Sequence, residues 1–431
     1  MLIRDFRELW IIIGQSFLLF LLFFLLYKKF IFSIFDPLFF FLITQAFSVE
    51  LSILTLNSLY FLHIIFCELF FFLGFIVLAP SKRKFKHIEI GHLLKVTSSS
   101  LEYLNVFLNI SLIIIIISNI YLFSQSGIIL LAKDPSESKV TTFSEGGGLG
   151  VVRRINWGVL YFSGLISVFL YLKTNKTSYL IKFLIIIFVS SLSGSKGALL
   201  FYIQALPFFA ILYKGKSVFN KIKKLIYVLI PVSCALVLYI LFTISKDVDA
   251  TFFALGYRFL YFGDAILFYY DQYSLKHFTS YSMLNFLWDE LSSPLALFRL
   301  TNYEIPLGYK LVMFRENINT IPVFGPNVPF YVKGHIYFGY FGALLYSFSL
   351  GIIVGYLRRY FYLLLMRLKE SVTSIFAFVF IIFINLLLFG IAQDSTLFFG
   401  TLFDTIIFSI PILVLTYIFL YPKRLLSEYS H

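Results

Sequence analysis

The chain has 431 residues, of which 60% are hydrophobic and 13% are charged. Soluble domains are about 45–50% apolar and about 25% charged, so this composition excludes an ordinary soluble domain. The net charge of +13 would suggest nucleic-acid binding in a soluble protein. Most of the Lys and Arg residues flank apolar runs, however, as topology signals and headgroup contacts do. We therefore expect a polytopic membrane protein that contacts membrane lipids and no nucleic acid.

Apolar runs that are long enough to cross a bilayer recur along most of the chain. They predict an all-α, polytopic transmembrane helical bundle of about eleven or twelve spans, in a single integral membrane domain over residues 1–431. Asp36 and Pro37 predict the start of the second span, because Asp is a good N-cap and Pro suits the first helical turn. The predicted spans are 9–27, two within 38–79 that divide near Asn57, 101–123, 156–172, 179–192, 198–213, 225–244, 335–356, 372–391 and 399–421.

Two polar segments predict long loops, at 124–152 and at 245–333, and the second is expected to contain short helices. Short loops rich in Lys and Arg mark the cytoplasmic side of membrane proteins. Such loops lie at 81–95, 173–176, 214–224, 358–369 and 423–424. With these in the cytoplasm, the C-terminus is cytoplasmic, and both long loops are extracytoplasmic together with the turn at 191–197.

The turn at 191–197 reads Ser-Leu-Ser-Gly-Ser-Lys-Gly and is predicted to open a helix at Ala198. A helix N-terminus offers unpaired N–H groups and a positive dipole end, which attract anions. Ser195 and Lys196 add hydrogen-bond donors, so the turn is a candidate cradle for a phosphate. The alternative is a tight interhelical turn whose lysine extends toward the lipid headgroups.

The aromatic stretch at 256–264 is the second candidate for anion binding. Arg258 can form a fork onto phosphate, and Asp264 is predicted to cap the helix that follows. Arg299 and Arg315 extend the basic set in the same loop. The alternative is an interfacial anchor that ends in an ordinary N-cap aspartate.

His335 is predicted to begin a span directly after the long loop, at the outer membrane boundary. Imidazole titrates near neutrality, so His335 could act as a base on a hydroxyl group. The alternative is an interfacial histidine without chemistry. The acidic pairs Asp247/Asp249 and Asp289/Glu290 are too common a pattern to predict a metal site, and we expect neither a metal ion nor a cofactor.

Three stretches resemble bacterial oligosaccharide repeat-unit polymerases, the Wzy-type O-antigen polymerases. SLSGSKGALL (191–200) is similar to the Ser-x-Ser-Arg-Gly that this family commonly shows before an apolar helix. YRFLYFGDAILFYY (257–270) is similar to the Arg…Gly-Asp stretch of the family's long outer loop. GHIYFGYFGALLYSFSLGIIVGYLRR (334–359) is similar to the Gly/aromatic helix after that loop. Lys196 stands where the family usually has arginine, which keeps the charge but loses the bidentate fork.

This resemblance implies a glycosyltransferase of the bacterial inner membrane with a periplasmic active site. Such an enzyme transfers a growing glycan from undecaprenyl pyrophosphate to the next lipid-linked repeat unit, by an inverting reaction without a metal ion. The residues implied in pyrophosphate binding are Lys196, Ser195, Arg258, Arg299 and Arg315. His335 and Asp264 are the implied candidates for the base. The implied partners are undecaprenyl-pyrophosphate-linked oligosaccharides, and a chain-length regulator is a further candidate.

Two other functions stay open. An O-antigen ligase, or another glycosyltransferase that uses lipid-linked sugars, would share the scaffold and the outer loop. A transporter or flippase would be indicated by short loops and by interrupted helices in corresponding positions. The loop at 245–333 is longer than a transporter usually needs, which favours the enzyme.

Overall fold

The computed structural model describes residues 6–85, 97–135, 138, 149–193, 196–213, 216–279, 281–302, 304–322, 325–369 and 371–428. Every regular element in these residues is a helix. The first half contains α1 (Phe6–Tyr27), α2 (Pro37–Thr55), α3 (Ser58–Leu78), α4 (Lys82–Phe85), α5 (Ser98–Ser126), a 3₁₀ turn (Ile129–Leu131), α6 (Leu149–Thr174), α7 (Thr177–Leu192), α8 (Lys196–Tyr213) and α9 (Lys216–Ser245). The second half contains α10 (Val248–Leu260), a 3₁₀ turn (Tyr261–Gly263), α11 (Ala265–Tyr269), α12 (Gln272–Phe278), α13 (Met283–Leu297), α14 (Leu307–Arg315), α15 (Phe330–Met366), α16 (Val372–Leu388), α17 (Gly390–Gln393) and α18 (Ser395–Glu428).

The helices confirm the predicted class of an all-α, polytopic membrane bundle. Within the described residues, nine helices are long and apolar enough to cross a membrane, and Thr177–Leu192 and Leu199–Tyr213 are shorter apolar helices. The division of 38–79 into two spans is confirmed, because α2 ends at Thr55 and α3 begins at Ser58. The predicted cap is also confirmed, since Leu38 N donates to Asp36 Oδ1 at 3.0 Å.

The helices differ from the predicted spans around residue 358. Arg358 and Arg359 were expected in a basic loop, but α15 continues to Met366 and contains both. Arg358 is fully buried there, whereas Arg359 is exposed. A fully buried guanidinium group needs a partner that balances its charge.

Asp36 is that partner. Arg358 Nη1 donates to Asp36 Oδ1 at 3.0 Å, and Arg358 Nη2 donates to Asp36 Oδ2 at 2.6 Å. A third bond runs from Nη2 to the carbonyl oxygen of Phe30 at 2.9 Å. The guanidinium group also lies 4.1 Å from the ring centre of Phe32. One carboxylate thus caps α2 and holds α15 in place.

The chain divides into two compact units. The first unit comprises residues 1–87, 238–363 and 385–399, and the second comprises 88–237, 364–384 and 400–431. In the second unit, Arg154 Nε and Nη2 donate to Asp404 at 2.6–3.0 Å. Lys182 Nζ donates to the side-chain oxygens of Asn105 and Asn109. Cations within these apolar helices are therefore bonded to polar side chains.

In the first unit, α3 and α15 pack with their backbones in close contact. A Cβ atom on Gly74 would lie 2.0 Å from the carbonyl oxygen of Phe348, and one on Gly351 would lie 2.1 Å from that of Phe71. Small residues allow membrane helices to approach this closely. Residues 351–355 form a GxxxG pattern, and Gly355 continues the contact against Phe75.

Helix α15 is broken at Gly339, whose φ of 70° and ψ of −173° are not helical. A Cβ atom on Gly334 would lie 3.1 Å from Cα of Ala343. In a straight helix, residues nine apart are about 13 Å apart along the axis, so the chain must fold back sharply at Gly339. Residues 330–338 therefore form a separate short segment, which we call the buried arm, and the long span is 340–366. The predicted span at 335–356 lies within a candidate span over Phe330–Met366, but its first residues belong to the buried arm.

Candidate functional site

The buried arm places three polar side chains inside the first unit. Lys333, His335 and Tyr337 are 2%, 8% and 4% exposed. Lys333 and Tyr337 are four residues apart, so they lie on one face of the helix. His335 lies between them in the chain and points to the other side. The two sides of the arm contact different elements, and each side has its own chemistry.

On the first side, Lys333 is bonded through Nζ to three oxygen atoms. It donates to Glu290 Oε1, to Ser395 Oγ at 2.8 Å and to Thr396 Oγ1 at 2.8 Å. Ser395 Oγ in turn donates to Glu290 Oε1 at 2.5 Å. An ammonium group has three donors, and all three are used. Lys333 therefore holds Glu290 and the start of α18 in place and has no donor left for a ligand.

Asp289 extends this network to the next helix. Tyr337 Oη donates to Asp289 Oδ2, and Lys310 Nζ donates to Asp289 Oδ1 at 3.1 Å. Lys310 also pairs with Glu304 at 2.7 Å. Glu290 Oε2 is buried and has no hydrogen-bond partner among the described residues. The acidic pair Asp289/Glu290 therefore binds lysines.

On the second side, His335 lies in an aromatic cluster. Its Nδ1 atom is 2.5 Å from Tyr269 Oη, and its ring is 5.1 Å from that of His63. His63 Nε2 donates to the carbonyl oxygen of Tyr340 at 2.9 Å. Because a carbonyl group only accepts, this bond fixes the proton of His63 on Nε2. If His335 carries its proton on Nδ1 and donates it to Tyr269 Oη, its Nε2 atom is free to accept a proton. This is the tautomer in which His335 can act as a positioned base.

An open cleft of about 390 Å³ lies between α12 and α14 in the first unit. Aromatic rings form much of its wall, and the ring of His277 stacks on that of Phe314 at 4.1 Å with an angle of 15°. Glu304 and Lys310 supply the polar groups of the wall. Because Lys310 is bonded to Asp289, the cleft lies next to the Lys333 network. Its volume is within the range of small-molecule sites, about 300–1,000 Å³.

Asp264 lies where α11 begins, but its side chain makes no capping hydrogen bond, so the predicted cap is wrong. The side chain is buried, and its Oδ1 atom has no hydrogen-bond partner among the described residues. Burial raises the pKa of Asp264 to about 7, although interactions with the backbone N–H groups of Ala265 and Asp264 and the charge of Arg258 oppose this. A carboxyl group that titrates near neutrality suits general acid–base chemistry.

We expect Asp264→Asn to be more stable than the natural protein at about pH 8 and equally stable at about pH 4. The folded state holds the pKa of this carboxyl above its unfolded value, so its ionisation opposes folding. The free energy of unfolding therefore falls as the pH rises from about 4 to about 7, by at most about 4 kcal/mol. Thermal unfolding of the detergent-solubilised protein at the two pH values measures the difference.

Asp271→Asn is the control of opposite sign. Burial raises the pKa of Asp271, but hydrogen bonds from Ser274 and Tyr273 and the charge of Arg315 outweigh it, so the net pKa is lowered. Asp271→Asn should therefore reduce stability at about pH 8, with a loss that fades as the pH falls toward 3. A destabilised Asp264→Asn protein at the higher pH would contradict the raised pKa of Asp264.

The predicted arginines have different surroundings. Arg315 Nη1 lies 2.6 Å from Asp271 Oδ2, so a neighbouring carboxylate already balances its charge. Arg258 and Arg299 are exposed, and neither forms an ion pair with another described residue. Arg299 also has a positive φ of 57°. Both remain available to an anion, whereas Arg315 would have to leave Asp271.

The predicted phosphate cradle is only partly described. Ser195 lies outside the described residues, and Lys196 is the first residue of α8, two residues before the predicted start. Lys196 belongs to the second unit, whereas Arg258, Arg299 and Arg315 belong to the first. The structure brings His335 together with Tyr269 and His63, and it does not bond His335 to Asp264.

Sequence reasoning missed Lys333, Tyr269 and His63, and it considered Glu290 only as part of an acidic pair that does not predict a metal site. One available signal was the occurrence of ionisable residues inside predicted spans, because such residues are costly in a bilayer and mark functional sites. Glu50, His63 and Glu68 satisfy that criterion and are buried in α2 and α3. Comparisons with protein-family models, with curated proteins and with solved structures return no match for this chain.

Proposed function

We propose that this protein is an O-antigen polymerase of the bacterial inner membrane. It would transfer a growing glycan from undecaprenyl pyrophosphate to the non-reducing end of an incoming lipid-linked repeat unit at the periplasmic face. The buried arm carries this proposal, because Lys333, His335 and Tyr337 lie among apolar spans and are bonded to side chains of the 245–333 loop. Reacting groups on two lipid-anchored substrates need polar side chains held beside the bilayer in this way.

The cleft between α12 and α14 supplies a place for the sugars. Aromatic rings pack against the apolar faces of sugar rings, and the wall contains Phe278, Tyr281 and Phe314. Glu304 and Lys310 can hydrogen-bond sugar hydroxyls at the same place. An oligosaccharide in the cleft would extend toward Asp289 along Lys310.

Two groups can serve as the base that deprotonates the acceptor hydroxyl. His335 is held by Tyr269, which fixes its ring as a positioning partner does. Asp264 has a pKa of about 7 because it is buried, so it can exchange a proton near neutral pH. The departing pyrophosphate needs cations where its charge develops. Arg258 and Arg299 are the loop arginines that are exposed and without an ion pair among the described residues, and they are the cations we assign to this role.

Purified protein in proteoliposomes should convert a synthetic undecaprenyl-pyrophosphate-linked repeat unit into a ladder of longer glycans. Arg258→Ala should lower the rate roughly 10- to 100-fold, less than the loss of a fully buried donor would, because Arg258 is exposed. Gel separation of the labelled glycans measures both results. The matched control is Lys276→Ala, an exposed cation on α12, which should keep the full rate. Normal ladders from a stably folded Arg258→Ala protein would contradict the proposal.

Deletion of the gene separates the proposal from the ligase alternative. Loss of a polymerase leaves single repeat units on the final acceptor, whereas loss of a ligase leaves long glycans on the lipid carrier. The surface polysaccharide, separated on a gel, should therefore lose its ladder and keep one short band.

A transporter of lipid-linked glycans is the second candidate, and the break in α15 favours it. Transporters build their sites at interrupted helices, and Gly339 interrupts α15 beside buried ionisable residues. The same proteoliposomes distinguish the two functions. A transporter moves the labelled lipid between the leaflets and leaves its glycan unchanged in length, whereas a polymerase lengthens the glycan.

A further inference from the structure

Helix α13 buries acidic side chains and exposes apolar ones, which is the reverse of a surface helix in a soluble protein. Its acidic residues Asp289 and Glu290 are each 7% exposed and face the interior of the first unit. Its large apolar side chains face outward. These are Met283, Leu284, Leu287, Trp288 and Leu291, which are 61%, 77%, 43%, 45% and 52% exposed.

The exposed residues form one continuous face. They occur at relative positions 0, 1, 4, 5 and 8, which lie on one side of a 3.6-residue helix. Asp289 lies on the opposite side of the helix and Glu290 at the edge of the apolar face, and the two buried acids bond to Lys310 and Lys333. The acids cannot turn outward without leaving the buried Lys333 with no carboxylate partner, so the apolar face is held in its exposed position.

Phe286 lies beside this face and shows which part of the first unit α13 packs against. Its ring packs at 5.5 Å on Tyr337 and at 5.7 Å on Tyr346. Tyr346 is six residues after the start of the span 340–366, or about 9 Å along its axis. The outer surface of the same part of that span is apolar as well, since Phe341 and Leu345 are 78% and 66% exposed. Helix α13 therefore packs beside a part of the span that also exposes apolar side chains.

We propose that α13 lies within the bilayer interface, with its apolar face in contact with lipid acyl chains, although it belongs to the loop between two spans. The side chains of this face are 43–77% exposed, and a continuous apolar surface in water would favour aggregation. Acyl chains remove it from water, as they do for interfacial amphipathic helices. The acids and Lys333 then lie at the level of the lipid headgroups. The proposal concerns position and does not depend on the glycosyltransferase activity.

Trp288 provides a direct test, because the chain contains three tryptophans. A Trp10→Phe/Trp157→Phe protein retains Trp288 as its sole tryptophan. Reconstituted into vesicles of phosphatidylcholine brominated on its acyl chains, it should lose about half or more of its emission relative to unbrominated vesicles. Acrylamide or iodide in the water should have little effect on it.

The control moves the tryptophan to a polar surface of the same loop. Tyr273 on α12 is 82% exposed, so Tyr273→Trp in a protein with all three natural tryptophans replaced by Phe should respond to iodide and not to brominated lipid. If Trp288 responds to iodide as this control does, α13 lies in water and the proposal is wrong. If Trp288 responds to neither quencher, a protein surface covers the face, from a second copy or a partner, and the proposal is wrong as well.

Cysteine labelling gives a second measurement with different substitutions. Leu284→Cys, in a protein with Cys67 and Cys234 replaced by alanine, should react with a membrane-impermeant maleimide at least about tenfold more slowly than Tyr273→Cys in the same background. Detergent should bring the two rates together. Equal rates in intact vesicles would overturn the proposal.

Discussion

Replacing Arg358 with alanine is expected to abolish most of the folded protein. Arg358 and Asp36 are both 0% exposed, and two hydrogen bonds join them. Without the guanidinium group, Asp36 would keep a buried charge with no opposing cation. The cost of breaking such a buried pair is about 3–5 kcal/mol, which is a large part of a typical stability of about 5–15 kcal/mol.

The next residue is the matched control for this prediction. Arg359 lies on the same turn of α15 and is exposed, so Arg359→Ala should change stability by less than about 0.5 kcal/mol. Arg358→Met combined with Asp36→Asn should recover part of the loss, because it removes both charges and keeps an oxygen to cap α2. Size-exclusion chromatography and thermal unfolding in detergent measure the folded fraction. An Arg358→Ala protein as stable as Arg359→Ala would show that the pair contributes nothing.

Lys333→Met is expected to have the second large effect, on both stability and activity. Lys333 is 2% exposed, and its three hydrogen bonds join α13, the buried arm and the start of α18. Its loss leaves Glu290 as an unpaired buried carboxylate, at a cost of about 3–5 kcal/mol. We therefore expect little folded protein and no measurable glycan ladder.

Adding Glu290→Gln separates the structural role of the pair from its chemical role. The double variant has no unpaired charge, so it should recover much of the stability that Lys333→Met loses. If the pair positions the reacting groups, the recovered protein stays inactive, whereas a merely structural pair would return activity together with stability. Lys310→Met is the control, because Lys310 is partly exposed and should cost less. A double variant no more stable than Lys333→Met would show that the unpaired charge is not the cause.

The predictions that were confirmed are those that depend on near neighbours in the chain. Apolar runs specify helices that can cross a bilayer, because the backbone must satisfy its own hydrogen bonds in lipid. The cap at Asp36 needs only an N–H group two residues later, so it could be predicted from Asp36 and Pro37. The same carboxylate's bond to Arg358 spans 322 positions, and no local pattern indicates it.

The candidate site was predicted in part. His335 was singled out for its side-chain chemistry, but its place in the buried arm depends on the turn at Gly339. Apolar residues continue on both sides of Gly339, so the sequence predicts one uninterrupted span over 335–356. The actual course depends on the contact of Gly334 with Ala343, where a larger residue would leave too little space.

By itself, the sequence determined that this protein is an all-α, multi-span membrane protein with a polar loop of nearly ninety residues, since local hydropathy and length decide which segments can enter lipid. Tertiary structure alone decided that Lys333 binds Glu290 and that α13 faces outward with its apolar side. Both outcomes depend on charges that meet from distant parts of the chain, because a buried carboxylate takes whichever cation the fold brings within reach.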